Sequence, residues 1–170
     1  AFTAIVAPLL FDWVWEHPLL ILTAVALMPL PSLFDWYRKD DLDPQLARIA
    51  LIVFVLFAAG LAWMLYSVVS DRQEGLARAF LTIMLSGVGL LLTGWRWLFL
   101  AVLMAMMLAQ GGVDTIETSL RGERSRSYFG VYTIRDHPEA RMRQLVHGTT
   151  LHGQQSTDPA RALEPTTYYG

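Results

Sequence analysis

The sequence predicts a mainly α-helical, polytopic membrane protein of about four to five transmembrane helices, the first incomplete, with a small C-terminal β unit. Three observations carry that expectation. Of the 170 residues, 54% are hydrophobic and only 16% charged, a balance too apolar for an ordinary soluble domain. The mean hydropathy of +0.39 averages over two unlike parts, an aliphatic stretch and a polar tail. The run Ile49–Ser70, "IALIVFVLFAAGLAWMLYSVVS", offers about 22 residues without a charge, the length that the roughly 30 Å hydrocarbon core of a bilayer demands of a helix.

Residues 1–111 read as the transmembrane region. The opening "AFTAIVAPLL" is too short to span, so it is expected to be the end of a span that begins earlier, and no basic leader of a signal peptide precedes it. After the aromatic and acidic break "FDWVWEHP", a second apolar run covers Leu19–Leu30. It reaches spanning length only if its helix starts near Trp13, with Trp13 and Trp15 anchored at the interface. The charged, aromatic stretch "SLFDWYRKDDLDPQLAR" is expected to be an interfacial loop, and "DRQEGLAR" a polar turn. The apolar tract from Ala79 to Ala109 is broken at "TGWRW", where Gly94 and Arg96 would be costly in mid-bilayer, so a helical hairpin is predicted. Its first arm carries "SGVG" at Ser86–Gly89, small residues that let neighbouring helices approach closely. The methionine-rich "LAVLMAMMLA" fits gap-filling between packed helices. No ionisable residue falls inside the apolar runs so drawn, which speaks against transport by this chain alone.

Residues 112–125 read as a linker and 126–170 as a β-strand tail. "SYFGVYTIR" is rich in aromatic and β-branched residues, "DHPEA" is a turn, and "RMRQLVH" alternates polar and apolar before "GTTLHGQQ". A hairpin followed by a third strand is expected. So small a unit closes a poor core alone, and it is expected to need cover over an apolar face carried by Phe129, Val131, Ile134, Leu145 and Val146. The arginines at 121, 124 and 126 would meet acidic groups on a partner or lipid phosphates.

The paired "HG" motifs raise the question of a metal. His147 and His152 are five apart, where a helical pair needs three or four, and in a single strand that spacing puts the two rings on opposite faces. With no cysteine, and with His17 and His137 each preceding a proline, a third ligand is not at hand, so neither a metal nor a cofactor is expected. Polar turn residues at a sheet edge are the plainer account. Asp136, Asp158 and Glu164 likewise read as turn residues. A net charge of -2 argues against nucleic acid as a partner.

The ordered series "RSYFGVYTIRD", "RQLVHGTTLHGQQ" and "PTTYYG" after a multispan region, together with the opening "APLLFDWVWEHPL", resembles bacterial proteins that fuse a transporter-like membrane half to a spermidine synthase-like domain. The resemblance implies that the tail is the small N-terminal β domain that lids a polyamine and nucleoside pocket. On that footing substrate contacts would fall to Gly153, to Gln155 or Gln154, and to Tyr168 or Tyr169, with the histidine-glycine pair at His147 an alternative alignment. The glycine-rich turn, ribose-gripping acid and aspartate pair that aminopropyl transfer requires are not in this sequence, and would belong to an α/β domain after Gly170. No catalytic residue is therefore assigned. The resemblance implies a multi-pass protein of the bacterial inner membrane, either a non-catalytic structural or accessory subunit or part of a longer aminopropyltransferase-like enzyme of polyamine metabolism. Its partners would be the lipid bilayer and other membrane subunits or the missing α/β domain. Arg38, Lys39, Arg48 and Arg96 nearly balance Arg72, Arg78, Arg121, Arg124 and Arg126 across the bilayer, and the tail is placed on the cytoplasmic side.

Overall fold

The computed structural model describes residues 2–29, 43–70 and 75–166. Most of them are helical, and the chain ends in a small antiparallel sheet. Of the expected interfacial loop at 32–48, residues 32–42 lie outside the described residues, while Pro44 to Arg48 open a helix instead; of the expected polar turn at 71–78, residues 71–74 lie outside them, while Gly75 to Arg78 are helical; Tyr168 and Tyr169 also lie outside the described residues. Two compact units divide the chain: Leu19–Thr115 forms one, and Ala1–Pro18 joins Ile116–Gly170 in the other. The first 18 residues thus belong with the sheet, although the sequence had grouped them with the spans.

In the helical unit, α2 (Glu16–Leu27) supplies its apolar portion from Leu19 onward, followed by α3 (Pro44–Ser70), α4 (Gly75–Leu91) and α5 (Arg96–Met107). At 1.5 Å per residue α3 is about 40 Å long, more than the hydrocarbon core of a bilayer. Among the described residues two helical stretches are long and apolar enough to cross a membrane, Pro44–Ser70 and Arg96–Leu120. The second is not straight: Gln110 and Gly111 leave helical geometry, Gly111 at φ +109°, before α6 (Val113–Leu120) resumes. A left-handed residue at that kink favours glycine, which has no Cβ to clash. Where the sequence predicted four to five spans, α2 and α4 are apolar but short, at 12 and 17 residues.

The core of this unit is a seam. Ala58, Leu61 and Leu65 of α3 pack on Leu81, Leu85 and Val88 of α4, with Leu92 and Ala109 completing the cluster. These positions recur every three or four residues, so they occupy one stripe of each helix. A turn at Leu92–Trp95 reverses α4 into α5, and there Gly89 makes close packing possible. A side chain at that position would meet Val102 Cγ1 at 3.3 Å and the Phe99 ring. Ser86 turns its hydroxyl onto the Thr82 carbonyl oxygen at 2.7 Å, which keeps the polar group satisfied inside an apolar helix.

In the sheet unit, a wide helical turn at Phe2–Val6 leads into α1 (Ala7–Leu10). The sheet itself is a four-stranded meander, β1 (Arg124–Ser127), β2 (Gly130–His137), β3 (Met142–His147) and β4 (Thr150–Ser156), each strand paired with the next. It differs from the expected three strands in two places. Residues 112–125, read as linker, hold α6 and the start of β1. "SYFGVYTIR" is not one strand but a turn between two, because Phe129 N–H donates to Ser127 Oγ and Gly130 takes φ +141°, a conformation that β-branched neighbours would resist.

Candidate functional site

The register sorts the tail's side chains onto two faces. Arg124 opposes Thr133, Arg126 opposes Val131, and Thr133 opposes Val146, so these share one face. Tyr132 opposes His147 and Ile134 opposes Leu145 on the other. The apolar residues expected to form a single face are therefore split, with only Val146 among them buried and with Ile134 and Leu145 about 40% exposed.

On the first face the most deeply buried polar feature among the described residues is an ion pair. Glu16, 2% exposed, receives two parallel hydrogen bonds from Arg126, Nη1 to Oε2 at 2.8 Å and Nη2 to Oε1 at 2.7 Å. Arg126 Nη1 also donates to the Trp13 carbonyl oxygen at 2.7 Å, so one guanidinium ties the carboxylate and the backbone that precedes it. The Arg126 fork holds the Glu16 carboxyl down to about 2, and its place in the first turn of α2, where helix N–H groups are unsatisfied, works in the same direction against the cost of burial. Beside it, Trp13 and Trp15 meet edge to face at 5.2 Å, Trp15 Nε1 donates to Asp12 Oδ1 at 3.0 Å, and Arg124 lies over the Trp13 ring at 5.7 Å. The break "FDWVWEHP", read from sequence as an interfacial anchor, is thus also the docking segment for β1.

On the second face the two histidines meet. Leu145 pairs with Gly153 but Val146 with Leu151, leaving His152 as an extra residue in β4, while Gly148 and Thr149 make the β3–β4 turn. The rings are on adjacent strands, not on opposite faces of one: His147 and His152 sit 5.5 Å apart, and Tyr132 stacks on His147 at 4.7 Å. The His147 ring also passes over Gly130, where a Cβ would collide with Nε2. Among the described residues no group of three or more His, Asp or Glu side chains could hold a metal ion.

Of the residues assigned by resemblance, Gly153, Gln154 and Gln155 are consecutive in β4, and Tyr168 and Tyr169 lie outside the described residues. Gly153 is half-buried at the bulge; Gln154 accepts from Gln144 Nε2 at 3.2 Å and its carbonyl oxygen accepts the Thr166 hydroxyl; Gln155 donates to the Ala162 carbonyl oxygen at 3.2 Å. Being consecutive in a strand, the two glutamines point to opposite faces. Of the three arginines expected to seek external anions, Arg121 pairs with Glu117 and Arg126 with Glu16. Sequence reasoning missed the Glu16–Arg126 pair; its one signal was a carboxylate isolated among aromatic residues, opposite arginines at alternate positions of a strand. No protein-family model, curated protein or solved structure matches the chain.

Proposed function

We propose that this chain is a non-catalytic, multi-pass membrane protein of the spermidine synthase-like fusion type, serving as a structural or accessory subunit of a larger assembly in the bacterial inner membrane. The observation that carries the membrane reading is α3, whose apolar side chains are exposed around most of its circumference: Leu56 is 66% and Trp63 70% exposed, beside Ile52, Val53 and Phe57. Water would penalise such a surface, whereas lipid is its natural solvent. In this reading α3 and the Arg96–Leu120 stretch cross the bilayer and α4 packs along α3. Carbonate washing of membranes should leave the chain in the pellet, and its appearance in the soluble fraction would end the proposal.

A second reading, a membrane-bound aminopropyltransferase-like enzyme whose catalytic α/β domain follows this sequence, is favoured by the exposed face of the sheet, where Ile134 and Leu145 are paired across strands without cover among the described residues. Intact mass of the protein isolated from its native membrane separates the two. A mass near 19.1 kDa supports the subunit, and a much larger one with peptides beyond Gly170 supports the enzyme.

A further inference from the structure

The geometry points to a phosphate-binding pocket on the first face of the sheet, built by Arg124, Thr133 and Arg135 against Trp13. The cavity measures about 290 Å³ and is also lined by Val131 and, where β3 ends and turns, by His147 and Gly148, although the register puts the His147 ring on the second face. Its lining follows from the register: Arg124 pairs with Thr133, and Arg135 lies two residues along the same strand on the same face, so two guanidinium groups flank one hydroxyl. Trp13 steadies Arg124 from one side.

Charge favours an anion here. The neighbouring Glu16 is neutralised by Arg126, and Asp136, next in sequence to Arg135, points to the opposite face and is held by Arg143. Asp12 offsets part of the Arg124 charge but does not line the cavity. Arg135 makes no ion pair among the described residues, so its charge is the one left to the pocket. The Arg135 fork and the Thr133 hydroxyl, with Arg124 beside them in the lining, match the several acceptor oxygens of a phosphate better than the two of a carboxylate. The volume lies at the lower limit of small-molecule sites, which admits a phosphate with part of its ester. Either a free phosphorylated metabolite or a lipid headgroup supplies that chemistry. The inference does not rest on the polyamine resemblance.

The test uses the full chain carrying 5-fluorotryptophan, with the Trp13 resonance assigned through Trp13→Phe. In detergent, inorganic phosphate should shift that resonance saturably, and Arg135→Gln should weaken the response about tenfold or more, as expected for a lost charge-assisted bond. In nanodiscs, a shift that requires phosphatidylglycerol and is absent in pure phosphatidylcholine assigns the site to lipid headgroups; saturation by free phosphate in both assigns it to a soluble ligand. Either outcome supports the pocket provided that Arg135→Gln weakens it and Arg143→Gln, on the opposite face, does not. No saturable shift with either probe, an unchanged affinity in Arg135→Gln, or an equal response to acetate at matched ionic strength would overturn it.

Discussion

The helical unit and the sheet unit solve the same problem with opposite means. Leu19–Thr115 buries a narrow leucine seam, Leu65 and Leu85 at its centre, and leaves many large apolar side chains outside. The sheet with the segment Ala1–Pro18 buries little apolar surface, chiefly Ala7 and Val146, and is pinned instead by a buried carboxylate and guanidinium. On the proposed membrane reading the helical unit gains nothing by hiding leucine and is held by packing. A small sheet with too little core depends on a few specific polar contacts, each of which matters more.

That contrast is broken most directly at Glu16. Glu16→Gln or Arg126→Gln leaves one charge buried without its partner and should destabilise the sheet unit by about 3–5 kcal/mol, read as the denaturant midpoint of hydrogen exchange in β1 and β2. The pair also makes the sheet acid-sensitive. Because the folded carboxyl titrates at about 2, below its usual value, its contribution is fully present above about pH 5 and is lost as pH falls toward 2. Protection in α3 and α4 should stay flat over that range, since their seam carries no titrating group. A parallel loss in both units would show that the ion pair is not what holds the sheet.

The converse change acts on the helical unit. Leu56→Arg places a charge on the exposed side of α3 and should impair insertion by about 2.5–3.5 kcal/mol, measured as the inserted fraction of the chain, with no effect on sheet protection in the molecules that do insert. Unchanged insertion would move the boundaries of that span. Gly130→Ala is a smaller test confined to the sheet. The alanine Cβ meets both an unfavourable φ of +141° and the His147 ring, and a cost of about 1–3 kcal/mol is expected, accompanied by displacement of the His147 resonance from its stack on Tyr132.

What could be read from the sequence follows the same division. α3 was legible because a long uncharged run needs no partner to be recognised, and the α4–α5 turn because Gly94 and Arg96 interrupt an apolar tract. The sheet was legible as β structure, and the Gly148 turn from its glycine and threonines, but not its faces. Deciding that His147 and His152 meet requires the extra residue in β4, which only the pairing reveals. The Glu16–Arg126 contact joins residues 110 apart, a separation at which no local pattern operates. α6 was hidden because residues 112–125 read as linker, and the kink at Gln110 and Gly111 that precedes it has no sequence signal beyond the paired glycines.

The smallest predicted effect isolates burial from geometry. Asp136 and Arg143 face each other across β2 and β3 and are likewise joined by two parallel hydrogen bonds, here side-on from Nε to Oδ1 at 2.7 Å and Nη2 to Oδ2 at 3.0 Å, where Arg126 offers Glu16 its two Nη atoms. Both side chains are about half exposed, so water screens the charges and the free partner stays solvated when one is removed. The Asp136 carboxyl is still lowered, first by the hydrogen bond from Arg143, yet this shift should translate into little stability. Asp136→Asn is expected to move the midpoint of β2 exchange far less than Glu16→Gln, and raising salt to 1 M should erase what difference it makes, while the Glu16→Gln loss persists. If the two substitutions proved equally damaging, fork geometry and not burial would be what binds the sheet, and the explanation of how this unit differs from its helical neighbour would have to be rebuilt on cross-strand pairs.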